Sequence, residues 1–227
     1  MLNIQTVLLD IDGTLLDFAA NQEYALKTAF KNHGIDLTEE IVARYNTINH
    51  GLWKDYELGR IERDTVLNTR FVRLFEELEI AVDGIAFEQE YQTLLGEGAF
   101  LIDGALELVQ YLHTKYELYI VTNGVAVTQT KRLKKSGLDQ YMKKVFISES
   151  LGCQKPQLEF FTKVFAEIEA IDPAKTIIIG DTLSSDILGG NNANIITCWF
   201  NPNGHQNDTE AKVDLEIKHL SELRNHL

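Results

Sequence analysis

Four short β-rich runs at 118–121, 145–147, 176–179 and 195–198 alternate with segments of helical spacing at 105–115, 127–136, 157–167 and 184–193. Strand and helix in alternation require crossover connections, which are right-handed and lay the strands parallel with helices against the sheet. One further apolar run, Val7-Leu8-Leu9, stands alone near the start. It can bury both faces only by entering that same sheet. Residues 17–98, between this run and the rest, show helical patterns and no competing strand. Tyr24, Ala25, Ala29 and Phe30 share helical spacing before a stop at Gly34, Thr38-Glu39-Glu40 opens a second helix, and 63–78 and 85–95 each carry an apolar face. The expectation is an α/β fold: a Rossmann-like parallel-sheet core from 1–16 and 99–227, with an α-helical insert at 17–98 after the first strand.

A buried strand has no folding reason to finish on charge. The first runs into Asp10-Ile11-Asp12-Gly13-Thr14, and the fourth of the core strands into Gly180-Asp181, with Asp186 five residues on. In parallel sheets the strand ends open into a crevice where ligands bind. Thr122-Asn123-Gly124 closes the second strand ahead of a helix N-terminus, and Lys155-Pro156 follows the third. Each has an ordinary reading: an Asp-Gly turn, a helix cap, a polar turn, a solvent-facing lysine. Taken together they supply carboxylates, a lysine and hydroxyls at one end of one sheet. That inventory holds a divalent cation and a phosphoryl group, and oxygen-only ligands suit Mg²⁺ better than Zn²⁺.

The composition narrows the partners. A formal charge of −13 argues against nucleic acid or an anionic membrane, since phosphate-backbone affinity needs many Lys and Arg contacts. An anionic substrate would then need local positive charge. With 227 residues and 44% hydrophobic content the chain can bury one good core plus a modest second domain. Cys153 and Cys198 have no metal-binding spacing and read as free thiols; with no leader or spanning segment in view, a cytoplasmic location is expected. The six histidines are scattered without a triad partner.

Asp10-x-Asp12-Gly13-Thr14, Thr122-Asn123, Lys155-Pro156 and Gly180-Asp181 with Asp186 resemble, in order and separation, the four motifs of the haloacid dehalogenase-like (HAD) hydrolases. The helical insert is similar to that superfamily's C1 cap. The resemblance implies Asp10 as the nucleophile that becomes an aspartyl-phosphate, and Asp12 as the acid that protonates the leaving alkoxide and then activates water. It implies Thr122 and Lys155 as the groups holding the phosphoryl oxygens and balancing charge, with Thr14 and Asn123 beside the substrate. Mg²⁺ is implied on Asp10, the Asp12 carbonyl, Asp181 and Asp186. Dehalogenases need no acid at the position of Asp12, so its presence favours phosphate chemistry. Asp103-Gly104, Gln157 and Asn194 depart from common family choices, none at a catalytic position.

Ile48-Asn49-His50-Gly51-Leu52-Trp53, with Glu57-x-Gly59-x-Ile61 and Leu67-Asn68-Thr69-Arg70-Phe71, resembles the cap of YjjG-type pyrimidine 5′-nucleotidases, as do Gly189-Gly190-x-Asn192-Ala193 and Trp199-x-Asn201. Tyr45, Asn49, Trp53 and Tyr56 share a helix face. That face either packs the cap or meets a nucleobase, with Asn49 and Trp53 as the contacts. The expectation is a Mg²⁺-dependent nucleoside 5′-monophosphatase, monomer or homodimer, acting on a small phosphomonoester. The alternatives are a sugar-phosphate or phosphoglycolate phosphatase, a phosphoglucomutase-type transferase, or a non-catalytic phosphometabolite-binding protein.

Overall fold

The structure, a computed structural model, describes residues 3–227. Among them six strands form one sheet: β1 (Thr6–Leu9), β2 (Glu117–Thr122), β3 (Lys144–Ile147), β4 (Thr176–Gly180), β5 (Ile196–Phe200) and β6 (Leu215–Ile217). The order is β3-β2-β1-β4-β5-β6 and every pairing is parallel. The isolated first strand therefore sits at the centre, between β2 and β4. The chain changes direction across the sheet there, and a crevice opens at such a switch point.

Nine α-helices accompany the sheet in the described residues: α1 (Phe18–Asn32), α2 (Glu39–Glu57), α3 (Arg63–Glu77), α4 (Gly84–Glu97), α5 (Ala105–His113), α6 (Ala126–Ser136), α7 (Ser148–Leu151), α8 (Leu158–Ala166) and α9 (Leu188–Asn192). The chain divides into two compact units, one comprising the segment up to Phe18 with Ala99–Leu227, the other Ala19–Gly98.

Alternation along the strands separates the core of the α/β unit into two layers. Val7 and Leu9 face a cluster with Ile120, Ile177, Ile179 and the α5 residues Leu108, Val109 and Leu112. Leu8 points the other way, to Val121, Ile178 and Phe160, Phe161 and Val164 of α8. Each such side chain, fully buried, contributes roughly 1.5–3 kcal/mol. Cys198 lies in the first layer and Cys153 in the second, both as buried free thiols. No described helix is long and apolar enough to cross a membrane.

The helical unit is held by aromatic packing and one buried ion pair. Phe87 meets Phe30, Phe71 and Phe75 at centroid separations of 5.0, 4.7 and 5.0 Å. Arg70 donates two hydrogen bonds of 2.7 Å to Glu88, and its third nitrogen donates to Asn49 Oδ1 at 2.9 Å. Pairing of this kind is what makes a buried guanidinium tolerable.

Three local features differ from the pattern reading. β6 is an additional edge strand, three residues long with Glu216 at its centre, too short and polar to announce itself. α8 begins at Leu158, with Gln157 as its N-cap. The stretch 184–193, expected as one helix, is a π-helical turn, Leu183–Ile187, running into α9. Asn194 takes the left-handed backbone that asparagine tolerates, at φ 54°.

Candidate active site

The register of β1 and β4 brings two acidic strand ends together. Leu9 pairs with Ile179, and the Asp10 N–H donates to the Ile179 carbonyl at 3.0 Å, so Asp10 leaves β1 beside Gly180 and Asp181 follows one residue further along, just past β4. The turn after Asp10 closes on Ile11, whose carbonyl accepts from Leu15 and Leu16 at 2.9 and 2.8 Å. Gly13 makes that turn possible: its φ is +82°, and a Cβ there would lie 2.3 Å from Asp181 Oδ2. Trp199 on β5 donates its indole N–H to the Asp181 carbonyl at 2.8 Å, which fixes the main chain behind the carboxylate.

Lys155 reaches this point from the loop after α7. Its ammonium donates to Asp10 Oδ1 and Asp186 Oδ1, both at 2.6 Å, and to the Val121 carbonyl at 2.8 Å, and the residue is only 1% exposed. Asn123 holds the lysine main chain from both sides, accepting from Lys155 N–H and donating to Lys155 C=O, each at 2.9 Å. The π-turn bends Asp186 back toward the sheet, where its Oδ2 accepts from Thr182 N–H at 3.2 Å. Such turns are frequent at functional sites.

Asp10, Asp181 and Asp186 can each offer one oxygen within 4.8 Å of the others. One lysine cannot balance three carboxylates. Burial pushes the Asp10 carboxyl well above its ordinary value; Lys155 opposes this, while Asp186, Asp181 and Asp12 add to it. Burial and then Asp186 push Asp181 up to about 7. Burial works against the Lys155 charge, yet Asp10 and Asp186 hold its ammonium above the usual lysine value. The local surplus of negative charge, with oxygen donors only, fits a hard divalent cation.

Asp12 faces elsewhere. Its carboxylate accepts from Gln129 Nε2 at 2.6 Å and from Arg132 Nη1, both on α6. Thr122, buried at the end of β2, accepts from Gly124 N–H and from Gln129 Nε2, each at 3.1 Å. Thr14 is fully buried, with its hydroxyl 3.4 Å from Asp181 Oδ1. The structure thus gathers Asp10, Asp181, Asp186 and Lys155 in one cluster, with Asp12 and Thr122 joined through Gln129. Neither Gln129 nor Arg132 stood out in the sequence.

In the helical unit Tyr45, Asn49 and Tyr56 are interior. Tyr45 stacks on Phe71 at 5.1 Å and its hydroxyl donates to that of Tyr91 at 3.0 Å, while Asn49 is 3% exposed and held by Arg70. Trp53 is half-buried, edge-on to Tyr56 at 5.7 Å. Five of the histidines are exposed and His226 is half-buried; none joins the acidic cluster.

A family profile described as haloacid dehalogenase-like hydrolase matches residues 4–194. The chain belongs to that family. Among its relatives, the HAD-hydrolase YfnB of Bacillus subtilis is 46% identical over 98% of this chain and 95% of its own length. The crystal structure of YfnB bound to magnesium superposes with a TM-score of 0.94 at 45% identity, covering 99% of each chain. The pyrimidine 5′-nucleotidase PynA of Streptococcus pneumoniae is 40% identical over 96% of this chain and 92% of its own. The pyrimidine 5′-nucleotidase YjjG of Escherichia coli is 28% identical over 96% and 95%.

Proposed function

We propose that the protein is a Mg²⁺-dependent pyrimidine nucleoside 5′-monophosphatase that works through an aspartyl-phosphate on Asp10. The observation carrying the phosphatase reading is the convergence of Asp10, Lys155, Asp181 and Asp186 where β1 and β4 end. The identity to PynA and YjjG over nearly the whole chain supports the nucleotidase reading.

Asp10, Asp181 and Asp186 would hold the metal, together with the Asp12 carbonyl. The cation supplies charge neutralisation between an anionic nucleophile and an anionic phosphoryl group. Lys155 orients the Asp10 carboxylate, leaving Oδ2 to attack phosphorus. Thr122 donates its hydroxyl to a phosphoryl oxygen. Asp12 gives a proton to the departing 5′-oxygen, then takes one from the water that breaks the acyl phosphate and frees Asp10. Thr14 lines the same loop, and Asn123 serves the site through Lys155. In the helical unit, Trp53 is the proposed contact for the base, with Asn49 supporting its helix.

A substrate panel tests the reading. Phosphate release from pyrimidine monophosphates should exceed that from phosphoglycolate and hexose phosphates, and chelation should abolish it. Preference for the small phosphates would keep the chemistry and reject the nucleotidase assignment.

The metal carries a pH signature. Asp181 has an ordinary value of 3.8 and is pushed up to about 7 in the folded, metal-free protein. The folded state therefore binds a proton that the unfolded chain has released. Metal-free stability contributed by this group falls as pH rises from about 4 to about 7. Cation binding displaces that proton, so the rise in Tm on adding Mg²⁺ should be larger near pH 8 than near pH 5.5. A rise that shrinks with pH would contradict the assignment of Asp181.

A further inference from the structure

We propose that Gln129 and Arg132, three residues apart on α6, are positioning residues for the reaction. In this inference Gln129 fixes the proton of Thr122 as a donor, and the two together hold the Asp12 carboxylate. It rests on the reading of Asp12 as acid and base and of Thr122 as a phosphoryl donor.

Both side chains are 1% exposed, an expensive place for a guanidinium and an amide. Arg132 spends a single nitrogen, Nη1, on its partners, Asp12 Oδ1 and Gln129 Oε1, the latter at 2.9 Å. Among the described residues its Nε and Nη2 find no hydrogen-bond partner, and its guanidinium lies 5.8 Å from the Phe18 ring centroid. An arginine buried only to staple α6 would satisfy more of its fork.

The neighbours leave the Gln129 amide one orientation: its oxygen faces the guanidinium and its nitrogen faces the carboxylate. The two amide hydrogens go to Asp12 Oδ2 at 2.6 Å and Thr122 Oγ1 at 3.1 Å. Thr122 Oγ1 accepts a second bond, from Gly124 N–H at 3.1 Å. A hydroxyl has two lone pairs and one proton. With both lone pairs engaged, Thr122 meets a ligand as a donor, the polarity an anionic phosphoryl oxygen requires. Gly124 provides the room, since a Cβ there would sit 2.3 Å from Gln129 Nε2.

The same amide and guanidinium take one oxygen each of Asp12, whose side chain stays 28% exposed. The carboxylate is thereby held on its α6 side and remains reachable. A single element, α6, thus couples the phosphoryl donor to the acid and base.

The test compares kcat/KM for a pyrimidine nucleoside 5′-monophosphate, whose alkoxide needs a proton to leave, with p-nitrophenyl phosphate, whose phenolate leaves unaided. Asp12→Asn should lose roughly 100-fold or more on the nucleotide and far less on the aryl ester. Arg132→Met should show the same selectivity with a loss of about 10-fold, partly restored in Arg132→Lys, and Asp12→Asn/Arg132→Met should be no slower than Asp12→Asn alone. Equal losses on both substrates in Arg132→Met, or multiplying losses in the double variant, would overturn the inference while leaving Asp12 as the acid. An unselective Asp12→Asn would remove that reading and the inference with it. Gln129→Met keeps the guanidinium paired with Asp12 but frees Thr122, so it should lose kcat/KM on both substrates and more on the nucleotide. An unchanged kcat/KM on the aryl ester, or equal losses on the two, would overturn the inference even if Arg132→Met yields no folded protein.

Discussion

Asp10→Asn is expected to lower phosphate release by at least about 10⁴-fold, the scale seen when a covalent nucleophile is removed. The protein should remain folded. Burial already disfavours the ionised form of Asp10 in the metal-free protein, so a neutral amide of the same shape fits the position. Lys155 keeps Asp186 and the Val121 carbonyl as partners after the change. Steady-state assay beside thermal unfolding separates the two effects. Unchanged turnover would remove Asp10 from the mechanism, and a collapse of stability would assign it to the scaffold instead.

Lys155→Met should damage both properties. The ammonium is the shared partner of two buried carboxylates, and its loss leaves Asp10 and Asp186 facing each other without a cation between them. Breaking a buried pair from one side costs about 3–5 kcal/mol, and loss of a group that stabilises transition-state charge costs roughly 10²–10³ in kcat. The stability loss should be read in denaturant without metal, where no other cation compensates. Adding Asp10→Asn to Lys155→Met removes one of the two stranded carboxylates and should recover part of the stability. If the double variant is no more stable than Lys155→Met, the repulsion account fails.

The core cluster was legible because it sits where buried strands stop. Asp10 and Asp181 end apolar runs that had no folding use for charge, and the pairing of β1 with β4 brings those two strand ends together, one residue out of step. Lys155 was legible through its motif, although only the structure shows that Asn123 grips its main chain with both ends of the amide. Gln129 and Arg132 escaped for a physical reason. On a helix with three lysines around them, polar residues at this spacing read as a solvated face, and their burial depends on Asp12 arriving from far along the chain. The same holds for Arg70 and Glu88, which look like surface charges until the helical unit closes over them. Asn49 was read correctly as sharing a face with Tyr45 and Tyr56, and that face is interior. Periodicity reports which residues align, but not whether the aligned side meets protein or ligand.

The most direct measurement is a rapid acid quench of the Mg²⁺-loaded protein mixed with phosphoryl-labelled pyrimidine monophosphate, followed by peptide mapping. The account predicts label on the peptide containing Asp10 and none in Asp10→Asn. Full phosphate release with no labelled peptide, or label on any other residue, would contradict it.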